Sequence, residues 1–412
     1  MSNITRLDVF LRFKDESIPV GTLATNGKAI FFEYLTAFIE RQLHLSPFML
    51  PLRDGLQHTN DDLFHSLPGV FNDSLPDGWG RLLLHQSLKQ RGIDPASLGP
   101  LDELGMVGST GMGALTYQPS LKTEQQPSAL DLDRYASASQ NILNGSTDHM
   151  LQQLRAAAGS SGGARPKVLV SVSADRTHLT TAPPADGEEE WLIKFPGSTD
   201  SADAGAIEYV YFLMAREAGI TMSDCHLFPS HTGPGYFGTK RFDRVGGKRL
   251  HAHSLSGLVH DDFRHPSFDY ENVLALTHKL TLNPTDVKAM YRLAVFNVLS
   301  HNRDDHSKNF SFLMDETGRW AASPAYDLTF SSGPNGFQSM SVMNEARHPA
   351  QEHLIALGRS VGFPQSEIVN VIEQVADALS LWPRFAKEHG VTSSSAKLVQ
   401  NIISKAIALN AY

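Results

Sequence analysis

The sequence NRDDHSKN at residues 302–309, followed by YDL at residues 326–328, is the part of this chain that decides the fold. Asp304 is followed five residues later by Asn309, and Asp327 comes after a short segment with the length of a hairpin. Phosphoryl transfer needs a carboxylate that positions the acceptor hydroxyl, together with oxygen ligands for Mg²⁺. The spacing predicts that Asp304 is the catalytic carboxylate and that Asn309 and Asp327 are metal ligands.

The flanking residues match kinase chemistry and not the eukaryotic kinase signature. Asn302 stands where H-R-D has its His, and Leu328-Thr329 stand where D-F-G has Phe-Gly. A polar loop after a helix is the simpler interpretation of residues 302–309. The functional interpretation is favoured because so many polar side chains lie between an apolar helical segment and a strand-like segment.

Three upstream features complete the outline of a nucleotide site. The Gly-rich loop, GSSGGA at residues 159–164, precedes a strand-like segment, and Lys194 lies on the next one. Glycines let backbone amides approach phosphate oxygens, and Lys194 would neutralise phosphate charge. Glu208, early in the following helix, could pair with Lys194. Taken singly, these features are also typical of a turn, a solvated lysine and a surface carboxylate.

The order of the predicted elements is strand-rich first and helix-rich later. This order predicts an α+β, two-lobed, protein-kinase-like fold, with a mixed β N-lobe, an accessory N-terminal subdomain and an all-helical C-lobe. The expected units are residues 1–118, 119–245 and 246–412. The strongest local signals are an alternating strand at 7–13, a hairpin at Asn26-Gly27, and helices at 79–89, 206–218, 284–300, 367–379 and 396–409.

Composition narrows the class of protein. A net charge of −9 over 412 residues argues against tight, direct binding to nucleic acid, because neutralising phosphates needs a basic surface. No run of about 18 apolar residues predicts a membrane span, and the first 16 residues do not resemble a secretory signal. The single cysteine, Cys225, cannot form an internal disulfide. We therefore expect a cytoplasmic protein that does not enter a membrane.

A metal-hydrolase interpretation uses some of the same residues. The candidate zinc ligands are His251, His253, His301, Asp304 and His306. Stoichiometric Zn²⁺ would favour the hydrolase, and Mg²⁺-dependent nucleotide binding would favour the kinase. The set lacks the regular alternation of strands and helices that an amidohydrolase barrel needs, so the kinase interpretation is preferred.

These segments resemble the HipA family, the bacterial serine/threonine kinase toxins of type II toxin–antitoxin systems. The resemblance covers most of the chain, and the catalytic segment is its most specific part. It rests on LPGVF (67–71), SLPDGWGR (74–81), GARPK (163–167), IKFP (193–196), RFDR (241–244), NRDDHSKN (302–309) and PAYDL (324–328).

The resemblance implies roles by position, with ATP and Mg²⁺ as cofactors. Asp304 resembles the catalytic Asp, Asn309 and Asp327 the Mg²⁺ ligands, and Lys194 the lysine that binds ATP phosphates. His306 resembles a nucleotide-side His, and residues 239–242 resemble the linker whose backbone binds adenine. In that linker Lys240 replaces a common acidic residue, and Phe242 follows. The implied ATP-binding residues are Ser160, Ser161, Gly162, Gly163, Lys194, Lys240, Phe242 and His306.

The family also implies regulation and partners. A Ser of the Gly-rich loop becomes autophosphorylated, which expels the loop; Ser160 matches that position, with the adjacent Ser161 as the alternative. A small, dimeric, HipB-like antitoxin binds DNA and recruits the kinase to it, and the known targets are aminoacyl-tRNA synthetases. The resemblance thus predicts an ATP- and Mg²⁺-dependent protein serine/threonine kinase toxin that reaches DNA only through its antitoxin. The alternative is a catalytically silent, kinase-like scaffold that binds antitoxin or nucleotide.

Overall fold

The structure is a computed structural model that describes residues 4–59, 63–121, 129–146, 149–159, 162–265 and 268–409. Near the N-terminus an antiparallel sheet has the strand order β4-β3-β2-β1-β5. In β1, Leu7, Val9 and Leu11 are buried, as the alternating sequence predicts. The hairpin predicted at Asn26-Gly27 joins β2 to β3. The strands are β1 (Arg6–Arg12), β2 (Ser17–Thr25), β3 (Ile30–Tyr34), β4 (Gln57–His58) and β5 (Leu115–Gln118).

Four helices of the described residues belong to this first unit by sequence, and one of them packs elsewhere. They are α1 (Thr36–Ile39), α2 (Gly69–Asn72), α3 (Gly78–Gln90) and α4 (Pro100–Val107). Helix α3 begins after Asp77, whose carboxylate accepts from Gly78 N at 2.7 Å and caps the helix. Trp79 and Leu83 of this helix are buried in the apolar core under the second sheet. Helix α3 of the N-terminal unit therefore packs against the second sheet.

The second sheet is antiparallel, with the order β7-β6-β8-β10-β9. Its register places Lys167, the first residue of β6, opposite Lys194, the last residue of β8. The strands are β6 (Lys167–Val172), β7 (Leu179–Thr180), β8 (Glu189–Lys194), β9 (Cys225–Phe228) and β10 (Tyr236–Lys240); the helices are α5 (Leu132–Leu143), α6 (Leu151–Ala158) and α7 (Ala204–Glu217). A short hairpin follows, β11 (Arg244–Val245) with β12 (Lys248–Arg249).

A buried ion-pair cluster, the interdomain cluster, joins the first unit to the second sheet. It consists of Glu190, Arg241, Asp243 and Arg244. Asp243 accepts from Arg241 Nη2 at 2.7 Å, from Arg244 Nη1 at 2.6 Å and from the backbone of Gly113 at 2.7 Å. Arg241 also donates to Glu190 at 3.0 Å. The cations outweigh the effect of burial and lower the Asp243 pKa to about 2.

The remaining residues are mainly helical, and the prediction of an all-helical C-lobe is incomplete. A three-stranded sheet of the described residues, β13-β14-β15, follows the second sheet in sequence. Its strands are β13 (His251–Ser254), β14 (Ser311–Met314) and β15 (Trp320–Ala322). Strand β14 starts two residues after Asn309, so this sheet helps to position residues 302–309, which we call the catalytic loop after the role that the sequence predicts for it.

Helix α10 is the centre of the C-terminal unit. Asn283 caps it by accepting from Thr285 N at 3.0 Å, and Pro284 occupies its first turn. Residues 293–299 of this helix are all buried, and the catalytic loop starts shortly after it ends. The helices are α8 (Leu255–Val259), α9 (Tyr270–Thr281), α10 (Pro284–Leu299), α11 (Gln351–Ser360), α12 (Gln365–Leu379), α13 (Trp382–Glu388) and α14 (Ser393–Leu409).

No helix in the described part of the chain combines the length and the apolar character that crossing a bilayer requires.

Candidate active site

A cavity of about 790 Å³ brings the predicted site residues together. Its walls come from the second sheet, the catalytic loop and the N-terminal unit. Ser160 and Ser161 lie outside the described residues. All the other residues that the resemblance assigns to catalysis, ATP or Mg²⁺ line this cavity: Gly162, Gly163, Lys194, Lys240, Phe242, Asp304, His306, Asn309 and Asp327.

Lys194 is held by two carboxylates at the end of β8. Its ammonium lies 2.5 Å from Glu208 Oε1 and 2.5 Å from Asp327 Oδ1. Burial alone would lower the pKa of Lys194, but Asp327 and Glu208 outweigh it and raise that pKa. Burial would likewise raise the pKa of Asp327, but Lys194 and Lys167 hold it far below its usual range. The pair that the sequence predicts between Lys194 and Glu208 is therefore present, and Asp327 is ionised.

Arg165 extends this charge arrangement towards the Gly-rich loop. Its Nη1 lies 3.4 Å from Glu208 Oε2, and its Nε lies 3.0 Å from Asp200 Oδ2. Glu208, which is 2% exposed, thus bridges Arg165 and Lys194. We call Arg165, Lys194, Glu208 and Asp327 the cavity cluster. The sequence analysis did not select Arg165.

Lys167 is a second buried lysine in the cavity that the sequence analysis did not assign to the site. Its ammonium donates to Gly162 O and so closes the start of β6 against the Gly-rich loop. Burial lowers the Lys167 pKa to about 8. Its closeness to Lys194 follows from strand register, which the sequence does not show. The one signal in the sequence that could have pointed to Lys167 was the GARPK motif (163–167), which is among the segments that carry the family resemblance.

The catalytic loop presents Asp304 at the mouth of the cavity. The Asp304 side chain is 55% exposed, and His306 Nε2 lies 3.7 Å from its Oδ1. Asn309 Nδ2 donates to Asp304 O at 2.7 Å, which closes the loop on itself. Partial burial raises the Asp304 pKa; the charge on Asp327 adds to this effect, and His306 opposes it. A carboxylate with water on one side and a fixed backbone can position an acceptor hydroxyl.

Asp305 anchors the catalytic loop to the interior of the C-terminal unit. It accepts from Tyr270 Oη at 2.7 Å, from Ser339 N at 2.8 Å and from Gln338 Nε2 at 3.0 Å. It is 1% exposed, and burial raises its pKa to about 6. Sequence reasoning gave Asp305 no role, because its partners come from distant parts of the chain.

At the other end of the cavity lies the linker, residues 239–242. The backbone amide of Lys240 donates to Asp224 O at 2.8 Å, and that of Arg241 donates to Glu190 O at 2.9 Å. Both amides therefore already have hydrogen-bond partners in the second sheet or next to it. The Lys240 ammonium pairs with Glu189 at 2.5 Å on the surface. The Phe242 ring lies 5.4 Å from that of Tyr326 and forms an apolar wall. An apolar wall of this kind can pack against the flat face of a nucleotide base.

The donor set fits Mg²⁺ better than Zn²⁺. Asn309 and Asp327 line the same cavity and offer amide and carboxylate oxygens, the ligands that Mg²⁺ prefers. His251 contacts Leu45 O at 2.9 Å, and His253 lies between Asp73 at 2.6 Å and a serine hydroxyl. Within the described ranges, no three His, Cys, Asp or Glu side chains converge to hold a metal ion. The zinc interpretation therefore lacks a ligand set there.

This fold and this cavity define a two-lobed protein of the protein-kinase-like class, with an accessory N-terminal unit. Residues 159–382 match the family model described as the HipA-like C-terminal domain, and residues 8–118 match that of the HipA N-terminal domain. Because the first match covers more than half of the chain, the chain belongs to the HipA family.

Known proteins agree with this assignment. Two relatives come from Sinorhizobium fredii (strain NBRC 101917 / NGR234). The protein named "Putative kinase Y4dM" is 26% identical over 80% of this chain and 78% of its own length. The one named "Putative kinase Y4mE" is 25% identical over 75% and 77%. The solved Shewanella oneidensis MR-1 toxin–antitoxin complex of HipA, HipB and operator DNA contains a chain of the same fold. The TM-score is 0.70 at 17% identity, over 98% of this chain and 96% of that one.

Proposed function

We propose that this chain is an ATP- and Mg²⁺-dependent protein serine/threonine kinase and the toxin of a toxin–antitoxin pair. The observation that carries the proposal is that Lys194, Asp304, Asn309 and Asp327 line one cavity, with Lys194 already oriented by Glu208. A catalytically silent scaffold has no chemical need for this combination of charges.

The chain's own residues would perform the transfer by positioning and charge. Lys194 uses two of its three N–H donors on Glu208 and Asp327, which leaves one for a phosphate oxygen. Asn309 and Asp327 would hold Mg²⁺, which neutralises charge on the phosphates when bound. Asp304 would orient the acceptor hydroxyl and take its proton. Phe242 would cover one face of the adenine ring.

The test of kinase activity is Mg²⁺-dependent transfer of label. The purified chain is incubated with [γ-³²P]ATP and a lysate of cells that lack it, with and without EDTA. We expect labelled protein bands only with Mg²⁺, and acid hydrolysis should yield phosphoserine or phosphothreonine. Absence of any Mg²⁺-dependent label would favour the silent scaffold.

Autophosphorylation in the Gly-rich loop is part of the proposal, at Ser160 or, as the alternative, Ser161. Both residues lie outside the described part of the structure, so the proposal rests on family resemblance. A phosphate adds about −1.5 to −2 charges and would repel ATP phosphates from the cavity. Peptide mapping after incubation with Mg-ATP tests it: modification confined to sites outside residues 159–163 would count against this switch.

The proposed partner is a HipB-like antitoxin that binds DNA. The Shewanella complex contains HipA, HipB and operator DNA, and the charge of −9 here suggests that DNA affinity comes from a partner. In a mobility-shift assay on DNA upstream of its own operon, this chain alone should give no shift at physiological salt. The antitoxin should shift the DNA, and adding this chain should supershift it. A sequence-specific shift by this chain alone at nanomolar concentration would contradict the proposal.

The protein substrate is proposed by family resemblance alone, as a translation component such as an aminoacyl-tRNA synthetase. Phosphoproteomics after controlled expression, with the Asp304→Asn variant as control, identifies it. A synthetase peptide phosphorylated only by the wild-type chain would support the proposal. A reproducible set of phosphorylated proteins without any synthetase would reject it.

A further inference from the structure

The turn at residues 77–79 of the N-terminal unit contacts both loops of the candidate active site. Asp77 Oδ2 accepts from Lys308 Nζ at 2.9 Å, and Trp79 N donates to Gly163 O at 3.1 Å. Lys308 belongs to the catalytic loop and is adjacent to Asn309, while Gly163 belongs to the Gly-rich loop. One short turn therefore joins two loops that are far apart in sequence.

The Asp77 carboxylate has two partners at once. Its Oδ1 caps α3, and its Oδ2 holds the Lys308 ammonium. The Asp77 and Lys308 side chains are 21% and 19% exposed, so water screens this pair less than a surface pair. Lys308 Nζ also lies 4.8 Å from the centre of the Phe263 ring, which lines the cavity. The charge of Lys308 is thus fixed at the cavity wall.

The contact with the Gly-rich loop is close enough to require glycine. Gly78 has a φ of +33°, and a Cβ added there would lie 2.5 Å from Gly163 O. The indole of Trp79 donates from Nε1 to Lys167 O at 3.1 Å, beside the same loop. The backbone of Trp79 therefore holds Gly163 of the Gly-rich loop, and its indole holds Lys167, the first residue of the strand that follows the loop.

We infer that the 77–79 turn holds the described end of the Gly-rich loop, residues 162–164, in place relative to the catalytic loop, and that Asp77 is a positioning residue that acts on phosphoryl transfer through Lys308. The N-terminal unit then contributes to the nucleotide site by positioning its loops. The kinetic consequence rests on the proposed kinase function, whereas the structural consequence does not.

The first experiment compares Asp77→Asn with Asp131→Asn in the full chain. Both Asp residues cap a helix, α3 and α5, and Asn caps nearly as well, so both substitutions mainly remove a charge. Asp131 is exposed and does not line the cavity. We expect Asp77→Asn to lower kcat about 10- to 100-fold, because small displacements of reacting groups are costly. Asp131→Asn should leave kcat unchanged.

Hydrogen exchange measured by mass spectrometry provides the readout that does not need activity. Without nucleotide, peptides that cover residues 303–310 should exchange faster in Asp77→Asn than in Asp131→Asn. If the wild-type chain transfers no phosphate, the proposed function fails and this comparison still decides the inference. Equal exchange in the two variants, whether or not the chain is active, would overturn it.

A second pair tests the contact with the Gly-rich loop. Gly78→Ala forces a Cβ against Gly163 O, whereas Gly92→Ala, beyond the other end of α3, adds a Cβ with no atom within 4 Å although its φ is +70°. We expect faster exchange at residues 162–167 and a several-fold higher KM for ATP in Gly78→Ala only. The same behaviour in both variants would show that the turn does not seat this loop.

Discussion

The cavity cluster and the interdomain cluster are both built from largely buried pairs of opposite charge, yet their surroundings differ. In the interdomain cluster Asp243 is 0% exposed and accepts from two arginines and a backbone amide. In the cavity cluster Asp327 is 30% exposed and faces 790 Å³ of open space beside Asp304. Buried charges surrounded by fixed partners mark a structural joint, whereas similar charges left facing a cavity mark a place for a ligand.

The pKa values distinguish the two regions at Asp304 alone, because Asp327 has a lowered pKa just as Asp243 does. Asp243 has its pKa lowered to about 2, and its arginines make it a permanent anion. Next to the cavity cluster, the pKa of Asp304 is raised by burial and by the charge on Asp327. Carboxylates whose pKa values move in opposite directions within one cavity are typical of sites that bind cations or move protons.

The largest expected effect is on chemistry at the cavity. Asp304→Asn should slow Mg-ATP-dependent phosphoryl transfer by ~10²-fold or more, because it removes the group that orients and deprotonates the acceptor. The Asp304 side chain is half exposed, so thermal stability should change little. Initial rates with [γ-³²P]ATP, together with melting curves, measure both quantities. Wild-type rates in this variant would break the assignment of the cavity as catalytic.

The next effect is on stability at the interdomain cluster. Asp243→Asn should destabilise the protein by about 3–5 kcal/mol, the usual cost of removing one partner from a buried pair. The Asp243 pKa lies below its value in the unfolded chain, so its contribution is complete above about pH 4 and disappears as the pH falls towards 2. Denaturation between pH 7 and pH 3 should show this loss in the wild type and a weaker one in the variant. Identical pH profiles would argue against a structural joint.

A smaller effect of opposite sign is expected under the catalytic loop. Burial raises the Asp305 pKa to about 6, so Asp305 contributes stability below the pKa it has when unfolded and loses it as the pH rises through about 6. The change is at most about 3 kcal/mol. Asp305→Asn should remove this component of the pH dependence between pH 4 and pH 7. A wild-type stability that rises over that interval, unchanged by the substitution, would contradict the raised pKa.

Short-range spacing allowed the sequence to predict that residues 302–309 and Asp327 belong to one site. Asp304 and Asn309 are five residues apart, and the hairpin before Asp327 has clear turn residues. The spacing that phosphoryl transfer requires therefore lies within a short stretch of sequence. Lys194 and Glu208 are similarly close in sequence, at the end of a strand and the start of a helix. The selection of these five residues needed no knowledge of the tertiary fold.

Long-range contacts were not readable. Asp77 meets Lys308, and Lys167 faces Lys194, only because whole units pack in one particular way. Strand β13 was missed for the same reason: its four residues carry two histidines, and its pairing with β14 comes from a distant part of the chain. Arg241–Arg244 was recognised as a family motif, but its structural role appears only in the contacts with residues 111–113.

The most direct test of the difference between the two clusters is the change in melting temperature on adding Mg-ATP. Lys194→Met and Asp243→Asn each remove one charge from one cluster. When the concentration of Mg-ATP is about 100 times its dissociation constant, binding should stabilise the wild type by about 2.7 kcal/mol. Asp243→Asn should melt at a lower temperature and still show the full shift, whereas Lys194→Met should show almost none. A full shift in Lys194→Met, or its loss in Asp243→Asn, would contradict the account.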